Sequence, residues 1–123
     1  SVPALRRAAA LVVTSRAYAE EMGLTILAAV GAPGQTAGPD SSQLHSQPSD
    51  AIKAAVAKQG WEVADLDFIE INEAFGAVAV QSLRDLDYPL EKTNVHGGAI
   101  ALGHPIGASG ARLALHAALE LDR

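Results

Sequence analysis

The chain has 123 residues, 49% hydrophobic and 19% charged, with a net charge of −5 from nine Lys and Arg against fourteen Asp and Glu. The apolar content excludes a disordered chain, the length suits a single domain, and the acidic balance argues against general nucleic-acid or anionic-membrane binding, which needs clustered positive charge. No apolar run approaches the roughly 20 residues of a membrane span, residues 1–7 lack a secretory-type apolar core, and cysteine is absent; the sequence therefore holds no disulfide, thiolate metal site or cysteine nucleophile and fits a cytoplasmic protein.

Residues 8–13, Ala-Ala-Ala-Leu-Val-Val, are short and continuously apolar, and predict a strand buried on both faces. Thr14 or Ser15 can cap a helix after it, and Gly23 sits where that helix would stop. Residues 24–30 predict a second strand. Residues 31–49 are rich in Gly, Pro, Ser and Gln with no period, the mark of a long loop. Ser49 or Asp50 then opens a helix with Ile52, Ala55 and Val56 on one face, and Gly60 ends it. Trp61 reads as a packing anchor between helix and strand.

Residues 67–71 predict a strand. From Phe75 the apolar residues Phe75, Val78, Ala79, Leu83 and Leu86, with Ser82, follow the spacing of an amphipathic helix that Pro89 closes. A last helix begins near Ala108 and turns Ala111, Leu115, Ala118 and Leu119 inward. Strands alternating with helices imply βαβ crossovers and a layered α/β fold. The final helix has no returning strand, so the series reads as unfinished.

Chemistry concentrates in residues 94–110, with five glycines in seventeen residues. Glycine is entropically costly, so this density signals unusual backbone angles or a close approach. A helix follows, and helix N-termini favour negative charge. His104 lies between Gly103 and the rigid Pro105, beside that helix start. There it can donate to charge forming on a carbonyl oxygen or carry a proton near neutral pH. A P-loop fails because Ala108 follows Gly107, no Gly-x-Gly-x-x-Gly occurs, and a Gly-x-Ser-x-Gly elbow fails at Ala111. His96 and His104 do not match zinc spacing, so no metal site is expected. The second candidate is Asn72-Glu73-Ala74-Phe75. Asn72 is either a helix N-cap, with Glu73 favouring the dipole, or a ligand-facing residue at the carboxyl end of a strand. Arg112 reads as a surface or ion-pair residue, and His116 as solvated or packed.

Together, Asn-Glu-Ala-Phe and Gly-Gly-Ala-Ile-Ala-Leu-Gly-His-Pro-Ile-Gly-Ala-Ser-Gly-Ala-Arg, at this separation, resemble the thiolases: acetyl-CoA acetyltransferases and 3-ketoacyl-CoA thiolases. The likeness runs upstream through Asp65-Leu66-Asp67 and Gly60-Trp61 to about Ala8. The loop from Gly38-Pro39-Asp40 to Ser46-Gln47-Pro48 is similar to the bacterial, actinobacterial-type branch.

The resemblance implies a thiolase-like layered α/β fold with a mixed sheet flanked by helices. Residues 1–25 would be a remnant of the end of the N-terminal domain, and residues 26–123 the C-terminal domain without its final strands. It implies that the two reactive cysteines lie outside these residues, that His104 activates the nucleophilic one and donates to the thioester oxygen, and that Asn72 holds a water completing the same oxyanion hole. Ala74, Phe75 and Leu44 would line the acyl and pantetheine pocket, with Glu73, Gly103 and Gly107 in support. Substrates would be coenzyme A thioesters, with no further cofactor, and the full-length enzyme a cytoplasmic homo-oligomer with no nucleic-acid or membrane partner. The chain by itself would be inactive and prone to associate. Two departures stand out: His96 where the family has Asn, and Arg6-Arg7 where it has Asp-Gly. A non-catalytic module that binds coenzyme A or pairs with a subunit is the competing reading.

Overall fold

The computed structural model describes residues 7–38 and 41–123. Arg6, Pro39 and Asp40, named above, lie outside the described residues. Five α-helices are present among them: α1 Arg16–Glu21, α2 Gln47–Gln59, α3 Gly76–Leu86, α4 Ala99–Leu102 and α5 Ile106–Glu120. No helix among the described residues is long and apolar enough to cross a membrane. The chain divides into two compact units, one of residues 1–30 with 105–123 and one of residues 31–104.

In the first unit, α1 follows its predicted signals. The Ser15 hydroxyl accepts the Tyr18 N–H at 3.2 Å, and Gly23 takes a positive φ of 64° just past the helix. Pro105 is the N-cap of α5, and its carbonyl accepts both the N–H and the hydroxyl of the buried Ser109. The helix thus starts two residues before the expected Ala108. Leu115 and Ala118 line an apolar cavity of about 880 Å³ together with Leu11, Val13, Ile26 and Ala19.

The second unit holds the continuous core: Ile69, Ile71, Val78, Leu86 and Tyr88, with Ile52, Val63, Leu66 and Leu83 packed on it. Helices α2 and α3 pack on each other and on a 3-10 turn at Ser41–Ser46. Contact this close requires small residues where the elements meet. Ser49 and Ser82 are fully buried, and the Ser82 hydroxyl donates to the His45 carbonyl at 3.1 Å. The Ser49 hydroxyl lies 3.0 Å from Asp85 Oδ2, and Gln81 Nε2 donates to Asp85 Oδ1 at 2.7 Å. A side-chain hydrogen bond from Ser46, foremost, together with those from Gln81 and Ser49, holds the Asp85 carboxyl below its ordinary value. Tyr88 donates its hydroxyl to the Leu66 carbonyl at 2.7 Å, and burial pushes its phenol up.

Boundaries differ from the sequence reading in informative ways. Helix α2 begins at Gln47, two residues before the expected Ser49, with Pro48 in its first turn; Gly60 ends it at φ 73°. Helix α3 stops not at Pro89 but at Asp87, which takes the left-handed conformation at φ 50°. Trp61 is 53% exposed, so the structure does not bury it as the expected packing anchor. The largest correction concerns the sheet. Among the described residues there is no β-strand, only one isolated parallel bridge between Ile69 and Thr93. A strand exists only through a paired neighbour. No backbone ladder joins residues 8–13 to 24–30 among the described residues, and Val12 and Val30 are left 90% and 87% exposed.

Candidate functional site

The single bridge positions the site. Ile69 N–H donates to the Lys92 carbonyl and Asn94 N–H to the Ile69 carbonyl, each at 3.0 Å. Asn94 then turns its backbone aside at φ 48°, and its side chain continues the pairing. Asn94 Oδ1 accepts the Ile71 N–H at 2.8 Å, and Nδ2 donates to the Ile71 carbonyl at 3.0 Å. One buried amide thus satisfies both polar groups of Ile71, the residue before Asn72. His96, two residues on, is exposed and leaves these ties intact.

After Ile71 the chain makes a tight turn, with Ala74 N–H donating to the Asn72 carbonyl at 2.9 Å. Phe75, not Asn72, is the N-cap of α3 and makes no side-chain cap bond, so the capping reading of Asn72 does not hold. Glu73 reaches the other motif: its carboxylate accepts the Ile100 N–H at 3.0 Å in the first turn of α4. Gly98, the N-cap of α4, packs so near that a Cβ there would collide with the Glu73 carboxylate and the Asn94 amide. Gly103 ends α4 at φ 88° and ψ 163°, angles that favour glycine, and delivers His104. Gly107 has open space around its Cα, and nothing in the structure demands glycine there.

These turns bring together the two residues singled out by sequence. Asn72 Nδ2 lies 3.3 Å from His104 Nε2, across thirty-two positions of sequence. Asn72 is half-buried, and its Oδ1 is buried with no hydrogen-bond partner; His104 is exposed. Asn72 also lines a cavity of about 370 Å³ with Leu44, Ala74 and Phe75, the other residues expected at a binding pocket. Leu44 is 53% and Phe75 64% exposed at its rim.

The sequence reading missed Gln47 and Glu70, which line the same cavity. Alternation would have found Glu70, since Ile69 and Ile71 turn into the core and Glu70 falls between them. No period in residues 31–49 pointed to Gln47. Arg112 is half-buried, not a surface residue, with its Nε and one terminal nitrogen buried and unbonded.

Comparison with known proteins adds the context. The family model "Thiolase, C-terminal domain" matches residues 24–123. A probable acetyl-CoA acetyltransferase of Mycolicibacterium smegmatis is 61% identical over 116 residues, 94% of this chain and 30% of that one. The cytosolic acetyl-CoA acetyltransferase of Rattus norvegicus is 47% identical over the same share of the chain and 29% of its own length. The crystal structure of human mitochondrial 3-ketoacyl-CoA thiolase superposes with a TM-score of 0.81 at 40% identity, covering 89% of this chain and 27% of that one. A second structure of that enzyme, in complex with CoA, gives 0.80 at 40% identity over 88% of this chain and 27% of that one. The chain thus spans about three tenths of the length of the curated relatives it matches.

Proposed function

The chain belongs to the thiolase family through its C-terminal domain, and from that premise we propose that it supplies the oxyanion-stabilising half of an acyl-transfer site acting on coenzyme A thioesters. Breaking or forming a carbon–carbon bond beside a thioester carbonyl passes through an enolate. That anion is unfavourable unless its oxygen meets donors fixed in advance, and losing one such donor slows reactions of this kind by about 10²–10³-fold. In this reading His104 donates from its imidazole and Asn72 holds a water that donates beside it. Ala74, Phe75 and Leu44 line the acyl and pantetheine path. The acyl group passes through a thiol nucleophile, which divides the transfer into two easier steps. No cysteine occurs among the 123 residues, so that sulfur comes from elsewhere in the working enzyme.

The single observation behind the reading is the convergence of Asn72 and His104 at 3.3 Å, with Asn72 lining an apolar cavity ringed by exposed Phe75 and Leu44. The similar enzymes are described as acetyl-CoA acetyltransferases and a 3-ketoacyl-CoA thiolase, one of them crystallised with CoA, which supports coenzyme A thioesters as the substrate class.

Thiolysis of acetoacetyl-CoA, followed by loss of the ketoester absorbance, tests the proposal. The complete protein carrying this sequence should cleave it, and the 123-residue chain alone should not. Turnover by the purified chain alone, with contaminating enzyme excluded, would contradict the assignment of the nucleophile to another segment. A complete protein that binds CoA without turning over would favour the non-catalytic module.

A further inference from the structure

We propose that Ser82 and Asp85, on one face of α3, are positioning residues that clamp the 3-10 turn Ser41–Ser46 and so fix Leu44 and Gln47 as one wall of the cavity that takes the acyl chain. The use of the cavity rests on the acyl-transfer reading; the clamp itself rests on hydrogen bonds. The cavity has two walls of different origin. Ile71, Asn72 and Phe75 belong to the turn that Asn94 ties down. Leu44 and Gln47 line it from the 3-10 turn and the start of α2. Leu44 is half exposed, so burial in the core does not hold it in place; its neighbours do.

Those neighbours are tied to α3. The buried Ser82 hydroxyl donates to the His45 carbonyl at 3.1 Å. Asp85 lies three residues further along α3, on the same face. Its carboxylate accepts from the Ser46 side chain, and the Ser49 hydroxyl stands 3.0 Å from its Oδ2. Gln81 Nε2 donates to Oδ1 at 2.7 Å and steadies the carboxylate. A carbonyl and an ionised carboxylate only accept, so the groups themselves fix the direction of each bond.

At Ser46 the clamp takes precedence over the helix. Ser46 is the N-cap of α2, where a serine hydroxyl commonly accepts a backbone N–H of the first turn, yet it makes no such bond. Its side chain turns to Asp85 instead. A local helix signal given up for a tie to another helix marks a place where the fold fixes something beyond the helix itself. Ser82 and Asp85 do not line the cavity, so both act on it through residues 44–47.

Hydrogen exchange of the complete protein, followed by mass spectrometry, reads the clamp, and steady-state thiolysis reads its purpose. In Asp85→Ala, peptides covering residues 41–47 should exchange about ten-fold faster, while those covering residues 69–75 keep the wild-type rate. KM for acetoacetyl-CoA should rise at least about five-fold with kcat within about two-fold, the pattern of lost binding rather than lost chemistry. Asp85→Asn keeps an oxygen acceptor for the serines, and the Gln81 amide can turn its oxygen to the new NH₂ group, so this variant should restore most of both readouts. Unchanged exchange at residues 41–47, or exchange that rises equally at 69–75, overturns the clamp. A wild-type KM in Asp85→Ala, a fall in kcat without a rise in KM, or an Asp85→Asn enzyme as impaired as Asp85→Ala overturns its role in the cavity wall. If Asp85→Ala fails to fold, Ser46→Ala, which removes one hydroxyl from the turn, decides by the same measures and should move them in the same direction. A complete protein that does not cleave acetoacetyl-CoA ends the acyl-transfer reading, and the exchange measurement then decides the clamp by itself.

Discussion

Glu73 and Ile100 join the two halves of the site: the carboxylate next to Asn72 accepts the N–H of Ile100 at 3.0 Å and so fastens the short helix whose end carries His104. A four-residue helix has little stability of its own. Glu73→Ala removes an acceptor of the N-cap kind and should cost about 1 kcal/mol of stability. Its effect on turnover should be larger, because a catalytic group displaced by about 1 Å can cost up to ~10²-fold. Glu73→Gln keeps an oxygen acceptor in place and should retain most of the activity. Steady-state kinetics with thermal melts of both variants check this; equal loss in the two would mean that the charge, not the tether, matters.

Asn94 should be among the most sensitive positions outside Asn72 and His104. Its side chain satisfies both backbone groups of buried Ile71. Asn94→Gly tolerates the positive φ of 48° more easily than Asn but leaves both groups unpaired, at about 1–3 kcal/mol for each. Denaturant titration should therefore show Asn94→Gly destabilised by several kcal/mol. A change below about 0.5 kcal/mol would show that water replaces the side chain.

Asp85 gives the fold an acid-sensitive tie. Hydrogen bonds from Ser46, Gln81 and Ser49 hold its carboxyl below the ordinary 3.8, against the opposing effect of burial. A depressed value in the folded state means that the ionised form is favoured by folding. The contribution is full above 3.8 and fades as pH falls from there through the lower folded value. Melting temperatures of wild type and Asp85→Asn, taken from neutral pH down to about pH 3, should lie furthest apart at neutral pH and converge in acid. A constant gap across that range would remove Asp85 from the acid response.

Much of the site was legible because its signals are local or chemical. Ser15, Gly23 and Gly60 mark helix ends through their own side chain or backbone freedom, and each does so in the structure. The 3.6-residue stripe of α3 is buried at Val78, Ala79, Ser82 and Leu86. Phe75 breaks the stripe for a geometric reason: it is the N-cap, not a helical residue, and its side chain leaves the buried face. What depends on a distant partner was not legible. The apolar runs at 8–13 and 24–30 resemble buried strands in composition, but a strand is a pairing, and composition does not pair. Helix α4 is shorter than two turns and carries no period. The Asn94 side chain standing in for a strand leaves no pattern at all. Gln47 reaches the cavity from a segment whose sequence has no repeat to read.

Asn72 and His104 should act as one unit. The most direct measurement is a double-mutant cycle on kcat/KM for acetoacetyl-CoA thiolysis by the complete protein, with Asn72→Ala, His104→Ala and the pair. His104→Ala alone should lower the rate by at least about 10²-fold, and adding Asn72→Ala should cost little more, because a shared device is lost only once. Penalties that add in full, or a His104→Ala enzyme at wild-type rate, would contradict the account.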